Sequence, residues 1–263
     1  SYQINGNFSI ISNKVLTLGL GNVQQKNGMV GNGTDLFIGY PMEMFYGYKT
    51  DGLFLTDDEV NTWADQKAIA SGSKAGDIRY RDLTGDNKVT PDDRVYLGSR
   101  IPKYTFGLNL ACNYKQFDFS MLLQGVAKVK GLLTRYAGWA FNQEGNIQKW
   151  QMEETWNVQK NNRYAKYPRL EATSNAGGKN TLTSDYWLLD ASYLKVRNVQ
   201  LGYTLPKNMA RNMGIGSLRM YLSLDNPLAF HHYHKGWDPE NTKTEGSYYP
   251  TLTTYTFGLT LSL

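Results

Sequence analysis

The sequence predicts an all-β protein whose long strands cross a membrane, and three observations support this prediction. Residues 251–263 alternate apolar and polar side chains, which is the period of a β-strand. Residues 104–114 alternate in the same way, and their apolar row begins and ends in tyrosine. Very short and very long connections both occur along the chain, as they do at the two ends of transmembrane barrels.

The last segment has one face that is apolar over five positions: Tyr255, Phe257, Leu259, Leu261 and Leu263. The positions between them are polar or small, namely Thr254, Thr256, Gly258, Thr260 and Ser262. About five outward side chains are what a ~10-residue strand needs to cross a bilayer. Strands of soluble proteins usually have about five or six residues in total. A long, half-buried strand of a soluble sheet is the alternative for this segment.

A hairpin is predicted in the middle of the chain. Its first strand presents an apolar row formed by Tyr104, Phe106, Leu108, Leu110, Cys112 and Tyr114. Tyrosine at both ends is typical of a membrane strand, because amphipathic rings prefer the two interfaces. A two-residue turn, Lys115-Gln116, leads directly to a second alternating strand that starts at Phe117. The sequence therefore predicts long strands joined by a very short turn.

Further strands are predicted on both sides of this hairpin. Residues 193–205 alternate but slip phase once near Asn198, which predicts a β-bulge with one extra residue. Pro206 ends that strand, and a brief helical or turn link leads to the alternating residues 218–224. Near the start of the chain, residues 7–19 alternate imperfectly and predict a strand followed by a long loop.

The connections include long aromatic loops and two short helices. Residues 37–49 and 226–250 are rich in aromatic side chains, and residues 126–190 lack a clear strand. A cap residue, acidic residues in the first turn and helical spacing predict a helix within residues 56–70. A second helix is predicted over residues 144–156.

Residues 82–93 have the spacing of a calcium-binding loop. Oxygen ligands are expected from Asp82, Thr84, Asp86, Thr90 and Asp93, and from the backbone carbonyl of Lys88. Asn87 stands where an EF-hand loop has glycine, and Asp93 stands where it has the longer glutamate. We predict that the loop binds Ca²⁺, which would stiffen an extracellular loop. A polar turn built from Asp, Gly, Asn and Pro is the alternative.

The composition excludes several classes of protein. No run of eighteen apolar residues occurs, which excludes a helical membrane span, whereas a barrel keeps a polar lumen and a low mean hydropathy. The single cysteine, Cys112, excludes an internal disulfide and is expected to be a small packed residue. The net charge of +5 is spread along the chain, so we expect no nucleic-acid partner. No nucleophile has a placed base, so we expect neither an enzyme nor an organic cofactor.

Six blocks of sequence carry a resemblance that covers nearly the whole chain. They are FYGYKTDGLF (45–54), GDIRYRDLTGDNK with DDR (76–88, 92–94), IPKYTFG (101–107), DASYLKVRNVQLGYTLP (190–206), WDPE (237–240) and YTFGL (255–259). In this order they resemble the C-terminal part of a SusC-like TonB-dependent transporter from the outer membrane of Bacteroidetes. The block at 190–206 is the most specific single piece.

The resemblance implies the last several strands of a 22-stranded antiparallel barrel with long extracellular loops, in the cell outer membrane. Residues 1–263 would form the C-terminal part of the barrel domain, and the plug domain and the TonB-interacting segment would precede Ser1. The partners that it implies are a SusD-like surface lipoprotein, TonB acting through the missing N-terminal part, outer-membrane lipid, and an oligosaccharide or peptide ligand. A chain that starts inside a strand without a signal peptide is expected to be a mature or truncated product.

The mechanism implied is binding, because aromatic rings in the loops can stack on sugar faces. The candidates for substrate contacts are Tyr46, Tyr48, Trp139, Phe141, Trp187 and Trp237. Packing inside the loops, or contact with the lid lipoprotein, is the alternative for each of them. A soluble β-rich carbohydrate-binding or dockerin-like module is the alternative function. Strand patterns alone would also allow a passive porin, and only the resemblance favours an energised importer.

Overall fold

The computed structural model describes residues 1–19, 21–173, 178–234, 236–241, 245 and 248–263. The strands are β1 (Tyr2–Ile10), β2 (Val23–Gln24), β3 (Val30–Gly31), β4 (Met44–Gly47), β5 (Thr50–Leu53), β6 (Ile78–Tyr80), β7 (Val95–Ser99), β8 (Tyr104–Tyr114), β9 (Phe117–Ala127), β10 (Lys130–Leu132), β11 (Leu188–Asp190), β12 (Tyr193–Thr204), β13 (Ser217–His231) and β14 (Thr254–Ser262). The helices are α1 (Asp57–Thr62), α2 (Arg135–Gly138), α3 (Lys149–Glu154) and α4 (Lys207–Asn212), with 3₁₀ turns at Pro91–Asp93 and Asn142–Glu144. Among the described residues, no helix is both long and apolar enough to span a bilayer.

The long strands form one antiparallel sheet in the order β1-β8-β9-β12-β13-β14. This sheet confirms the predicted all-β antiparallel fold. The short strands pair two by two within the connections, as β2 with β3, β4 with β7, β5 with β6 and β10 with β11. The chain therefore consists of one extended sheet and of loops that carry small sheets of their own.

Three long connections lie at the same end of the large sheet. We name them loop A (11–103), loop B (128–192) and loop C (232–253). They share one end because β1, β9 and β13 run toward it while β8, β12 and β14 run away from it. The opposite end carries the Lys115-Gln116 turn and the short α4 link. This asymmetry confirms the predicted pattern of short turns at one end and long loops at the other.

The strand register places apolar residues opposite apolar residues across the sheet. Phe257 lies opposite Leu222, Leu222 opposite Leu201, and Leu201 opposite Phe119. Phe257 is 71% exposed and Leu222 is 45% exposed, so this apolar face is bare in the chain described here. Cys112 lies opposite Phe119 in the same row and is exposed, which corrects the expectation of a packed cysteine.

The other face of the sheet is polar and is held by an ion pair that spans three strands. The Arg219 guanidinium donates to both carboxylate oxygens of Asp118 at 2.5 and 3.0 Å. β12 passes between the two strands that carry this pair, and a Cβ on its residue Gly202 would collide with both side chains. Glycine at this position therefore allows the bidentate pair to form. One apolar and one polar face are typical of a barrel wall between lipid and lumen.

The predicted bulge in β12 is confirmed. Against β9 the register shifts between Val196 and Asn198, which pair with the consecutive residues Leu123 and Leu122, so Arg197 is the extra residue there. Against β13 the register shifts at the same place, but two β13 residues lie opposite Arg197. The Arg197 guanidinium donates to Gln124 of β9 at 2.7 Å and to Asn226 of β13 at 3.2 Å. The bulge therefore directs a cation toward the polar side chains of both neighbours.

Two predicted boundaries needed correction. The first strand covers Tyr2–Ile10 instead of residues 7–19, since Gly6 interrupts its apolar row and hides the period. The first helix is α1, which begins after Thr56; the Thr56 hydroxyl accepts a hydrogen bond from the Glu59 amide, as the predicted cap requires. Within residues 144–156 the structure has the shorter α3.

We expect Leu108→Arg to lower the free energy of unfolding in a bilayer by ~2–4 kcal/mol, because Leu108 lies in the middle of the apolar face, opposite Leu123. The matched control is Asn109→Arg, since the neighbouring side chain points to the polar face. Reversible unfolding of the full-length protein from lipid vesicles gives both values. Equal costs for the two arginines would contradict the assignment of the faces.

Candidate functional site

Loops A and B pack into one unit around a shared apolar cluster. Loop A contributes Leu53, Ile78 and Tyr80, and loop B contributes Trp156 and Tyr167, all of them buried. The two loops are also hydrogen-bonded through their backbones. The Tyr48 amide donates to the Thr183 carbonyl at 2.9 Å, and the Asp185 amide donates to the Tyr48 carbonyl at 3.1 Å.

A buried carboxylate fixes the second contact between these loops. The side chain of Asp77 in loop A is 1% exposed and pairs with Arg169 of loop B at 2.6 Å. It also accepts a hydrogen bond from the Asn180 amide group at 2.7 Å, and the Asn180 oxygen accepts from the Ile78 amide at 2.9 Å. A buried charge with several partners holds one arrangement, because leaving it unpaired would cost several kcal/mol. The loops therefore form a preorganised surface.

A cavity of about 770 Å³ lies where loops A, B and C meet. Its walls carry aromatic rings from loops B and C together with carboxylates from loops A and B. These side chains are Trp150, Tyr164, Tyr186, Trp187, Tyr233, His232, His234, Asp51, Glu153 and Glu154. Rings that stack and carboxylates that accept hydrogen bonds suit a ligand with apolar faces and many hydroxyl or N–H groups.

The rings of this cavity are held by hydrogen bonds at their polar ends. Trp150 donates from Nε1 to Gln148 at 2.8 Å, Tyr186 donates from its hydroxyl to the Ala165 carbonyl at 2.7 Å, and Trp187 donates to the Asn180 carbonyl at 2.7 Å. Burial raises the pKa of Tyr186 and raises that of Tyr233 to about 12. Both phenols are therefore neutral at physiological pH, and the rings offer their faces instead of charge.

Loop C is tied to the polar face of the sheet by an ionic anchor. The buried Lys195 ammonium lies 2.7 Å from Asp238 and 2.9 Å from Glu240, and Arg197 also pairs with Glu240. Burial raises the pKa of Asp238 and of Glu240, but the hydrogen bonds from these cations outweigh it and lower both values. The WDPE block of the sequence therefore fastens loop C to β12.

The predicted calcium loop is closed by hydrogen bonds. The fully buried Asp93 carboxylate accepts from the amides of Leu83 and Thr84 at 2.8 and 2.9 Å through one oxygen, and from Thr90 at 2.7 Å through the other. The Gly85 and Asn87 amides donate to Asp82 at 2.7 and 2.8 Å. Both carboxylates thus accept hydrogen bonds from backbone N–H groups of the same loop.

These hydrogen bonds use carboxylate oxygens that the predicted ion would need. Across the part of the chain that the structure describes, no three His, Cys, Asp or Glu side chains gather in a metal-binding arrangement. The predicted ligands Asp82, Thr84, Asp86, Lys88, Thr90 and Asp93 also include hydroxyl and backbone carbonyl oxygens, to which this absence does not extend. The structure favours the polar turn that the sequence also allowed, and Ca²⁺ binding stays a prediction.

Comparisons with known proteins agree with this architecture, although no family model matches the chain. It is 28% identical over 271 residues to TonB-dependent receptor P3 of Formosa agariphila, covering 90% of this chain and 26% of that protein. It is 25% identical over 229 residues to TonB-dependent receptor SusC of Bacteroides thetaiotaomicron, covering 85% of this chain and 20% of that protein. The chain is thus similar to about a quarter of several TonB-dependent receptors, SusC among them.

Solved structures show the same fold for this SusC-like chain. It superposes on the RagAB peptide transporter with a TM-score of 0.71 at 22% identity, covering 100% of this chain and 27% of that one. The RagAB peptide importer in its open-open state gives a TM-score of 0.70 at 23% identity, covering 26% of that chain. The six-stranded sheet therefore has the fold of one part of those longer chains. The chain spans about a quarter of the length of the curated relatives that it matches first.

The six residues predicted to contact substrate lie in different environments. Trp187 lines the cavity. Trp187 is itself only 5% exposed, and Tyr46, Tyr48 and Trp139 are 7–8% exposed and do not line the cavity. The burial of these rings favours the alternative of packing inside the loops, and their contact with a ligand stays a prediction. Phe141 and Trp237 are half-buried and pack against apolar clusters.

Most of the rings that line the cavity were not predicted. Trp150, Tyr164 and Tyr186 come from different parts of loop B, and Tyr233 comes from loop C. No spacing along the sequence could identify this set, because tertiary packing of two loops brings it together. A weak signal was present in the density of aromatic residues within each long loop.

We expect Asp93→Asn to lower the free energy of opening loop A by about 1–3 kcal/mol. Proteases should therefore cut loop A faster in this variant. The amide would turn a donor toward N–H groups that need an acceptor. The increase should be the same with and without EGTA, because the carboxylate acts through hydrogen bonds. Asp86→Asn is the control, since Asp86 is exposed and accepts from Lys88 within its own turn. A difference that disappears in EGTA would show that Asp93 acts through a bound cation.

We also expect acid to release loop C. The folded protein lowers the pKa values of Asp238 and Glu240 from their ordinary values of 3.8 and 4.5. The ionised carboxylates therefore contribute their full stability at pH values above 3.8 and 4.5. This contribution is lost as the pH falls through the lowered pKa values of the folded state. Lys195→Met should shift the release to higher pH, because the carboxylates lose the cation that lowers their pKa. Limited proteolysis of loop C against pH measures this shift, and the exposed Lys207→Met is the control. An unchanged midpoint in Lys195→Met would contradict the anchor.

Proposed function

We propose that this chain forms part of the wall and the extracellular loops of an outer-membrane TonB-dependent importer of oligosaccharides. The observation that supports this proposal most is the aromatic and carboxylate-lined cavity shared by loops A, B and C. Long loops are extracellular in outer-membrane barrels, whereas short turns are periplasmic. The cavity would then meet a ligand arriving from outside the cell before it enters the lumen.

The chemistry of the cavity favours a sugar chain as the cargo. Sugar rings have apolar C–H faces that stack on Trp150 or Tyr186, and their hydroxyl groups donate to carboxylates such as Glu153. A peptide is the second candidate, because the solved neighbours are named a peptide importer and a peptide transporter. Carboxylates would then accept from the N–H groups of the peptide.

The importer that we propose works with two partners. A SusD-like surface lipoprotein would close over the loops, and TonB would energise uptake through parts of the protein outside this chain. Exposed apolar side chains on loop B support a lid, since Val158 is 79% exposed, Tyr164 72% and Met152 59%. Apolar groups exposed on one loop are typical of protein contact surfaces.

A soluble carbohydrate-binding module is less well supported. Such a module would bury its apolar sheet face against a second sheet, as sandwiches do. Here that face is bare over its length, from Tyr255 and Phe257 in β14 to Ile4 and Phe8 in β1. The dockerin-like alternative needs a calcium loop, whereas the Asp93 carboxylate accepts hydrogen bonds from the loop's own amides.

Uptake by cells tests the proposed import. We expect Trp150→Ala to reduce uptake of a fluorescent oligosaccharide mixture about tenfold, the change that corresponds to ~1.4 kcal/mol of lost stacking. The matched control is Trp63→Ala, which removes a half-buried loop tryptophan that hydrogen-bonds Tyr80 instead of lining the cavity. Both variants are compared at equal amounts in the outer membrane.

The same cells distinguish the candidate cargoes. If Trp150→Ala reduces the uptake of fluorescent peptides but not of oligosaccharides, the cargo is a peptide and not a sugar chain. Unchanged uptake of both probes in Trp150→Ala would contradict the cavity as the ligand site.

A further inference from the structure

A second groove, of about 590 Å³, lies at the loop end of the large sheet, away from the aromatic cavity. Its described walls include residues of β7, β10 and β11, the end of β9, and the segments that directly follow β1 and directly precede β8. Three lysines line it, Lys103, Lys128 and Lys130, together with a single carboxylate, Asp190. Hydroxyl groups from Ser12, Ser99 and Ser192 complete its polar lining. The groove therefore carries a net positive charge and several possible hydrogen-bond donors.

Two of these lysines converge on a ring of the apolar face. The ammonium groups of Lys103 and Lys128 each lie 5.7 Å from the centroid of the Tyr104 ring. Tyr104 is the first residue of β8 and belongs to the same row as Leu108, so it lies at the rim of the face that contacts lipid. The two cations are thereby placed where headgroups meet acyl chains.

Neither lysine is neutralised by a neighbouring acid. Within the described ranges, Lys103 and Lys128 form no ion pair with a carboxylate. Asp190 lies opposite Lys130 in the β10–β11 pair, and it accepts hydrogen bonds from the Ser192 hydroxyl at 2.6 Å and from the Ser192 amide at 3.0 Å. The single carboxylate among the residues that line the groove is therefore engaged by Ser192, and the charges of Lys103 and Lys128 stay available to an anion.

Apolar surface continues directly below the cations. Phe8 stacks on Tyr104 with ring centroids 5.9 Å apart, and Ile10 lies opposite Tyr104 and is 63% exposed. An anion bound by the lysines would therefore have hydrocarbon contacts available along the same strands. A free inorganic anion makes no use of that surface, whereas a lipid uses both parts.

We propose that this groove is a binding site for the headgroup of an anionic phospholipid, one with a net negative charge on its phosphate, in the leaflet on the loop side. Lys103 and Lys128 would pair with phosphate oxygens, the Ser12 hydroxyl would donate a further hydrogen bond, and the acyl chains would lie along Phe8 and Ile10. The site would fasten the bases of loops A and B to the membrane surface. It depends on the position of the sheet in the membrane and not on the imported cargo.

The test is native mass spectrometry of the full-length protein in non-ionic detergent, titrated with phosphatidylglycerol. We expect the double variant K103Q/K128Q to bind this lipid about thirtyfold more weakly, which corresponds to about 1 kcal/mol for each lysine. The matched control is Lys115→Gln, which removes a lysine lying 5.4 Å from the Tyr114 ring at the opposite rim, outside the groove. That control should retain most of the binding.

Two further titrations separate the possible ligands. Zwitterionic phosphatidylcholine should bind the wild-type protein weakly and equally in the double variant. Inorganic phosphate should not displace phosphatidylglycerol, because it lacks the acyl contacts. Equal lipid binding by wild type and double variant would overturn the proposal. Displacement by inorganic phosphate at matched concentration would also overturn it, since the groove would then be a site for anions in general.

Discussion

The hydrogen bonding of backbone groups inside lipid is the constraint on which this structure depends. A strand in a bilayer has no water to satisfy its N–H and C=O groups, so each must pair with a neighbouring strand. The six long strands meet this requirement toward one another through continuous antiparallel registers. Period-two alternation follows, because a side chain in such a wall faces either hydrocarbon or lumen. Gly202 and the Asp118–Arg219 pair show how the lumen side builds its own polar contacts across three strands.

The loops depend on a different balance of forces. Out of the membrane they pack like a soluble domain, with a buried apolar cluster that includes Tyr80 and Trp156, and a buried ion pair between Asp77 and Arg169. Lys195 links this region to the wall by holding loop C against β12. The cavity therefore rests on a rigid base, and its rings are kept in place by hydrogen bonds. Such preorganisation reduces the entropy that ligand binding would otherwise cost.

The sequence predicted the wall much better than the loops. Alternation of apolar and polar side chains identifies β8 from Tyr104 to Tyr114, and a slip in that alternation identifies the bulge at Arg197. Both signals are local, since each lies within one strand of the sequence. The cavity could not be predicted, since Trp150 and Tyr233 come together only through packing between loops. Tyr48 shows the same difficulty, because an aromatic residue in a loop can be core as readily as binding surface. The loop closed by Asp93 shows that ligand spacing and an Asp-rich turn share one sequence pattern.

The central claim is that the apolar face of the sheet contacts lipid while the polar face lines a watery lumen. The most direct measurement places nitroxide labels singly at residues 106–110 of the full-length protein in bilayers, in a background without other cysteines. The account predicts that the relaxation of the label at Leu108→Cys is enhanced mainly by oxygen, which concentrates in lipid. The relaxation of the label at Asn109→Cys should be enhanced mainly by a water-soluble nickel chelate, and the two behaviours should alternate strictly along the strand. Enhanced relaxation of both labels by the nickel chelate would contradict the account, because both faces of the sheet would then contact water.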